Sequence, residues 1–232
     1  MAMTQPRPWL RCGAAISWNT AGALPAWVGQ TNGCGDEILV HPFSRFLLGI
    51  YRPWSKITRG SLEHAATELG LSLSDETAEK LMRSYDSLRA FPDVAPALKA
   101  VAENEGIEAY VFSNGTDEMV EASIKTSPDL KDHASIFKGL VTVHSLNAFK
   151  PATKVYDHLL HAVGKIDRPS EVWLITSNPF DVVGARAVGL NAAWIDRIGK
   201  GWADRLGKVI GDIQPTVVVS GVDEAVAEIL KR

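Results

Sequence analysis

The residues of this sequence that could do chemistry stand at, or shortly after, the ends of predicted strands. They are Asn19, the pair Ser113-Asn114, Lys150, the run Thr176-Ser177-Asn178, and Asp181. Because the carboxyl ends of parallel strands meet at one edge of a sheet, we expect these side chains to line a single crevice. A lysine ammonium beside an aspartate carboxylate can donate and accept protons at a bound molecule. The pattern therefore predicts a small-molecule site with acid–base chemistry at that edge.

The elements that must position these residues follow an α/β pattern. From about residue 92 onward, short β-branched runs alternate with segments one helix long, which is typical of a doubly wound parallel sheet. Strands are predicted at 12–18, 107–112, 139–143, 171–175, 191–195 and 216–219, and helices at 153–163, 181–188 and 222–231. A further helix carries Val94, Leu98 and Val101, and Thr116 is a predicted cap for another.

Between residues 41 and 90 the apolar pattern is helical, with no strand. One stripe consists of Leu62, Ala65, Ala66 and Leu69 and is closed by Gly70. Ser74 then precedes a second helix that bears Ala78, Leu81, Met82 and Tyr85. An insert of this kind after the first strand predicts a cap over the carboxyl edge of the sheet. We therefore divide the chain into an α/β core of residues 1–24 and 91–232 and a helical cap of residues 25–90.

Composition excludes several classes of partner. The 232 residues include 24 Lys and Arg against 27 Asp and Glu, a net charge of −3, which gives no reason to expect nucleic acid or an anionic membrane. No apolar run is long enough to span a membrane, and the start of the chain lacks the order of a secretory signal. The two cysteines have no CxxC spacing, so we expect free thiols and a cytoplasmic protein. His158 and His161 have no third ligand near them in sequence, so we expect surface residues and no metal.

Four stretches carry a family resemblance when they are taken together and in order. They are Phe91-Pro92-Asp93-Val94, Val111-Phe112-Ser113-Asn114-Gly115, Phe149-Lys150-Pro151 with Val155-Tyr156, and the run from Thr176 to Ala185. From about residue 50 to residue 200 the chain resembles the haloacid dehalogenase superfamily, and within it the type II L-2-haloacid dehalogenases, which have a helical cap. This resemblance implies an enzyme without a cofactor. Caps of the family often help to form dimers, which leaves a homodimer open.

The resemblance also implies roles for individual residues. Lys150 would be the fixed positive charge under the reaction centre, with Tyr156 nearby. Ser113 and Asn114 would bind an oxygen-rich or anionic part of the ligand, while Asn178 and Asp181 would orient or activate water. Phe180 would form an aromatic pocket wall, and Thr176 lies on the same predicted strand end. The family's cap arginine is left with two candidates, Arg45 and Arg52.

One position departs from the family pattern. In the family a first-strand Asp opens an Asp-x-x-Gly-Thr motif and attacks the substrate carbon, and the matching segment here is Asn19-Thr20-Ala21-Gly22-Ala23. A neutral amide is a very poor nucleophile, so we expect covalent dehalogenation to be absent or crippled. The superfamily's magnesium-binding Asp pair is matched by Asn19 and Ala21, which again predicts no metal. Trp18 and Trp27 flank the motif and predict an aromatic-lined pocket.

Three functional hypotheses follow. In the first, Lys150 and Asp181 form a neutral pair that performs non-covalent acid–base chemistry on a small organic molecule, such as a secondary metabolite, by isomerisation, cyclisation or epoxide opening. In the second, the chain is a true 2-haloacid dehalogenase whose nucleophile is a different carboxylate, Asp36 being the nearest. In the third, it is a ligand-binding protein that kept the fold and lost catalysis.

Overall fold

The computed structural model describes residues 12–17, 50–84 and 87–232. Trp18 and Asn19 of the predicted site lie outside these residues, as do Arg45 and the first part of the predicted cap. The domain boundaries at residues 24 and 25 therefore stay a prediction.

The described residues contain a parallel sheet whose strands match the predicted ones closely. The strands are β1 (Cys12–Ser17), β2 (Ile107–Ser113), β3 (Phe137–Thr142), β4 (Val172–Thr176), β5 (Asn191–Ile195) and β6 (Val217–Val219). Their order is β3-β2-β1-β4-β5-β6, with every neighbouring pair parallel. Ser17 pairs with Phe112 and Ile16 with Ile175. The carboxyl end of β1 therefore lies between those of β2 and β4, and the predicted doubly wound α/β fold is confirmed.

Helices cover both faces of this sheet. The helices of the described residues, including two that precede α3 in the segment predicted as a helical cap, are α1 (Trp54–Glu68), α2 (Asp75–Ser84), α3 (Val94–Ala102), α4 (Asp117–Thr126), α5 (Thr153–Ala162), α6 (Pro179–Ala187), α7 (Leu206–Val209) and α8 (Val222–Leu230). Short 3-10 turns span Lys131–Ile136, His144–Leu146 and Pro169–Glu171. The Thr116 side chain accepts a hydrogen bond from the Met119 N–H, so its predicted role as the cap of α4 is confirmed. The short α7 was not predicted.

The core lies on the two sides of the central strand β4, all of whose residues are buried. Trp173 and Ile175 pack with α3 and α8 on one face, while Val172 and Leu174 pack with α5 on the other. This alternation is that of a strand covered by helices on both faces, as a parallel sheet requires. The packing fixes the carboxyl edge on which the polar residues lie.

Helices α1 and α2 occupy the segment predicted as a helical cap. They contact each other, and the half-buried Arg59 of α1 is paired with Glu79 and Asp75 of α2. The predicted apolar stripe ends earlier than expected, because α1 stops at Glu68 and Leu69 is exposed. Among the residues that the structure describes, none of the helices combines the length and the hydropathy that a membrane span requires.

Candidate functional site

The centre of the candidate site is a buried ion pair at the carboxyl edge of the sheet. The Lys150 Nζ lies 2.9 Å from the Asp181 Oδ2, and the two side chains are 3% and 0% exposed. Lys150 comes from the loop between β3 and α5, whereas Asp181 lies in the first turn of α6, where the helix dipole favours a carboxylate. Burying two charges is costly unless they are paired and hydrogen-bonded. The sequence prediction that these two residues meet is thus realised in the structure.

Tyr156 of α5 binds the other oxygen of the same carboxylate. Its hydroxyl donates to the Asp181 Oδ1 at 2.7 Å, and its side chain is fully buried. Burial raises the pKa of Tyr156 far above its ordinary value, and the negative Asp181 carboxylate adds to the effect. The phenol is therefore a neutral hydrogen-bond donor. With both carboxylate oxygens bonded and no exposure, Asp181 is suited to hold Lys150 in place more than to take a proton directly from solvent water.

Phe112 supports the ammonium from the end of β2. Its carbonyl oxygen accepts a hydrogen bond from the Lys150 Nζ at 3.3 Å, and the Nζ lies 4.5 Å from the centroid of its ring. The same ring meets that of Tyr156 edge-on, at a centroid distance of 5.7 Å. A cation over an aromatic face is attracted by the ring quadrupole. Sequence reasoning missed this contribution, although the last buried aromatic before Ser113 was a signal for it.

The polar turn after β2 holds the lysine loop in place. The Asn114 Oδ1 accepts a hydrogen bond from the Lys150 backbone N–H at 2.9 Å, and the Ser113 Oγ accepts one from the Gly115 N–H at 3.0 Å. Both side chains are buried and adjoin the N-terminus of α4. Helix N-termini favour anions, so this turn is compatible with the predicted contact to an anionic group. That ligand contact stays a prediction, whereas the bond to Lys150 is visible.

The turn after β4 supplies the remaining predicted residues. The buried Thr176 Oγ1 accepts a hydrogen bond from the Asn178 N–H at 3.1 Å, which shapes the entry into α6. Asn178 and Phe180 are half-buried, next to the fully buried Asp181. Their predicted roles in orienting water and in lining a pocket stay predictions.

Aromatic residues connect α1 to the loop that carries Lys150. Phe149 contacts the rings of Tyr51 and Trp54, at centroid distances of 5.1 and 5.2 Å. The Tyr51 hydroxyl and the His144 Nδ1 are 2.8 Å apart, so the contact extends along this loop. Arg52, one candidate for the arginine of the cap, is exposed, and its guanidinium donates to the Tyr51 carbonyl.

Residues 50–84 and 87–232 contain no cluster of side chains that could form a metal centre. No group of three or more His, Cys, Asp or Glu side chains in those ranges could hold an ion. His158 is half-buried and His161 is exposed.

Known proteins share both the sequence pattern and the fold. The family described as haloacid dehalogenase-like hydrolase matches residues 20–189. The (S)-2-haloacid dehalogenase 1 of Pseudomonas sp. strain CBS-3 is 29% identical over 197 residues, which cover 81% of this chain and 82% of that protein. The haloacetate dehalogenase H-2 of Moraxella sp. strain B is 31% identical over 161 residues, or 69% of each chain.

A solved structure agrees at the level of the fold. The L-2-haloacid dehalogenase of Xanthobacter autotrophicus, with chloropropionic acid covalently bound, superposes with a TM-score of 0.76 at 21% identity. The superposition covers 94% of this chain and 98% of that one. The curated relatives are dehalogenases, so the expectation of an enzyme is confirmed at that level. The match over residues 20–189, together with a relative of 31% identity, makes this chain a member of the haloacid dehalogenase-like hydrolase family.

Proposed function

We propose that this family member acts on a small organic molecule by non-covalent acid–base chemistry, with Lys150 as the acting group. The observation that carries the proposal is the buried Lys150–Asp181 pair at the carboxyl edge of the sheet. By the resemblance of the segment Asn19-Thr20-Ala21-Gly22-Ala23 to the family motif, an asparagine would stand in the place of the nucleophilic aspartate. A buried ammonium supports proton transfer, and an amide in the place of the nucleophile would disfavour formation of an ester.

Epoxide opening illustrates how these residues could act. As the C–O bond of the ring breaks, the Lys150 ammonium donates its proton to the leaving oxygen, which stabilises the developing charge. A water molecule, or a hydroxyl of the same substrate, attacks the carbon and loses a proton, which restores the ammonium. Asp181 and Tyr156 keep the Lys150 Nζ oriented throughout. The N-terminus of α4 beside Ser113 favours a substrate that carries an anionic group, as the haloacids of the relatives do.

A second candidate is a genuine 2-haloacid dehalogenase. It is favoured by the names of the relatives and by the presence of Lys150, Asp181, Ser113 and Asn114 in the same order as in the family motifs. This reaction needs a carboxylate that attacks carbon, forms an ester and is released by water. In this chain that carboxylate would have to come from a position other than 19.

Chloride release separates the two candidates. Wild type, Asn19→Asp and Lys150→Met are each incubated with (S)-2-chloropropionate and with chloroacetate. We expect no chloride and no covalent adduct in wild type, and a gain of both in Asn19→Asp. Peptide mass spectrometry confirms that position 19 is still an amide in the wild-type sample, because deamidation would restore the acid. Chloride release by an intact wild type, with an ester adduct at another residue, would establish the dehalogenase instead.

Positive evidence requires turnover by wild type. We expect wild type to convert members of a panel of epoxide-bearing organic acids, and Lys150→Met to lose that activity. Lys154→Met is a matched control, because Lys154 is exposed on α5 and its ammonium donates to the Leu146 carbonyl, not to a residue of the candidate site. Saturable binding of the panel without any turnover would overturn the proposal in favour of a ligand-binding protein.

A further inference from the structure

Gly184 allows an unusually close approach between α5 and α6. It lies in the interior of α6, three residues after Asp181, so the two positions share one face of the helix. A Cβ atom built on Gly184 would lie 2.6 Å from both the Cε2 and the Cζ of Tyr156, and closer still to its hydroxyl oxygen. Real Cβ atoms essentially never come so near to other atoms. The Tyr156 ring therefore occupies the space that any side chain at position 184 would need.

Glycine is otherwise a poor choice for this position. It lowers the stability of a helix interior relative to alanine, because it has more backbone freedom to lose. Gly60 of α1 also lies within a long described helix and offers a natural comparison, since a Cβ atom built on it would have nothing within 4 Å. Of these two glycines, Gly184 alone lies against a residue of the candidate site.

We propose that Gly184 is a positioning residue for the reaction. Without a side chain at position 184, the Tyr156 phenol reaches the Asp181 Oδ1 at 2.7 Å, and the other oxygen of that carboxylate stays directed at the Lys150 Nζ at 2.9 Å. The orientation of the Lys150 ammonium thus depends on the absence of a Cβ atom at Gly184, which Tyr156 and Asp181 connect to it. The proposal rests on the proposed function in one respect, namely that Lys150 is the acting group.

The test must separate positioning from simple helix packing. Gly184→Ala, Tyr156→Phe and the double variant are compared with Gly60→Ala as the control. Tyrosine labelled at Cζ gives one NMR signal for each of the four tyrosines, and Tyr156→Phe identifies the signal of Tyr156. We expect Gly184→Ala to move that signal and Gly60→Ala to leave it in place. An unmoved Tyr156 signal in a folded Gly184→Ala protein would overturn the proposal, whatever the reaction of the enzyme is.

Kinetics give the second readout. In the Asn19→Asp background with (S)-2-chloropropionate, we expect Gly184→Ala and Tyr156→Phe each to lower kcat by at least about tenfold, the scale of a lost hydrogen bond to a charged group. The double variant should be no slower than the slower single variant, because both changes remove the same bond. A full additional loss in the double variant would mean that Gly184 acts through packing alone. If Asn19→Asp gains no activity, the NMR comparison still decides the role of Gly184.

A variant that does not fold is also informative. Leucine has no atoms where the outer part of the tyrosine ring lies, so Tyr156→Leu clears the space in front of position 184. We expect Gly184→Ala combined with Tyr156→Leu to fold where Gly184→Ala alone does not, with kcat no higher than in Tyr156→Leu. Failure of Gly184→Ala to fold in both backgrounds would show that the glycine serves a contact other than Tyr156.

Discussion

Two clusters in this molecule pair a cation with one or more carboxylates, and they differ in burial and in the number of ionic contacts. At the carboxyl edge of the sheet, Lys150 and Asp181 are almost completely removed from solvent. On the α1–α2 pair, Arg59 contacts Glu63, Asp75 and Glu79, and the Asp75 side chain is 97% exposed. Arg59 has three carboxylates in contact, yet water and salt screen each of them. The buried pair has no such screening, so the loss of one partner leaves an isolated charge.

We infer that burial counts for more than the number of ionic contacts in the energy that such a cluster contributes. A third ion pair, between Asp93 and Arg197, is intermediate in burial and extends the comparison to three sites. Asp93, at the start of α3, accepts hydrogen bonds from the guanidinium of Arg197 and from the Val222 N–H at the start of α8. Arg197 also lies over the ring of Phe91, with 4.1 Å between its Cζ and the ring centroid. Substitutions at the three sites should therefore rank by burial.

The largest effect is expected from Lys150→Met. It leaves the Asp181 carboxylate buried without its cation, which should lower the free energy of unfolding by about 3–5 kcal/mol. Chemical denaturation against wild type and the exposed-site control Lys154→Met measures the loss. A change as small as that of the control would contradict the idea that burial decides the energy.

Phe112→Leu tests the aromatic support of the same ammonium. Loss of a desolvated cation–π contact should cost about 2 kcal/mol, with some further loss from the smaller side chain. Phe149→Leu is the matched control, because Phe149 is a buried aromatic that packs on Tyr51 and Trp54. Equal losses of unfolding free energy in the two variants would show that the contact between Lys150 and the Phe112 ring contributes nothing beyond ordinary packing.

Asp93→Asn should have a smaller effect that depends on pH. Partial burial raises the pKa of Asp93, but the bonds from Arg197 and the Val222 N–H outweigh it, so the net pKa lies below the ordinary value. A carboxyl with a depressed pKa stabilises the fold above its unfolded pKa of about 3.9 and loses that contribution as the pH falls towards its folded pKa. We expect a loss of about 1–2 kcal/mol at pH 7, as for a hydrogen bond to a charged group.

The difference between wild type and Asp93→Asn should then shrink as the pH falls below about 4. Denaturation midpoints measured at several pH values test this. A difference that stays constant down to strongly acidic pH would show that the charge of Asp93 contributes nothing.

The smallest effect is expected from Arg59→Gln. Exposed ion pairs contribute little, because side-chain entropy and screening offset the attraction. We expect the denaturation midpoint to stay within error of wild type at moderate salt. A loss comparable to that of Asp93→Asn would place the α1–α2 network among the stabilising contacts and break the ranking by burial.

Local patterns predicted most of the fold, because short apolar runs and helical periods depend on residues that are close together in the sequence. β5 and the cap at Thr116 are examples, each determined by a few neighbouring residues. The meeting of Lys150 and Asp181 also followed, since strand ends in a parallel sheet share one edge. The bond from Asn114 to the Lys150 backbone did not, because it joins residues 36 positions apart and depends on the path of a loop. The contribution of Phe112 was missed for the same reason, since a ring's partner is set by tertiary packing.

The fit between position 184 and the tyrosine ring carries an evolutionary consequence. Where one position lacks room because another fills it, the two cannot diverge independently. Homologues that acquire a larger residue at the site of Gly184 should have exchanged Tyr156 for something smaller, and lineages that retain the ring should retain the glycine. Covariation between these two helical positions would then distinguish relatives that share the Gly184–Tyr156 packing from relatives that support the corresponding lysine by other contacts.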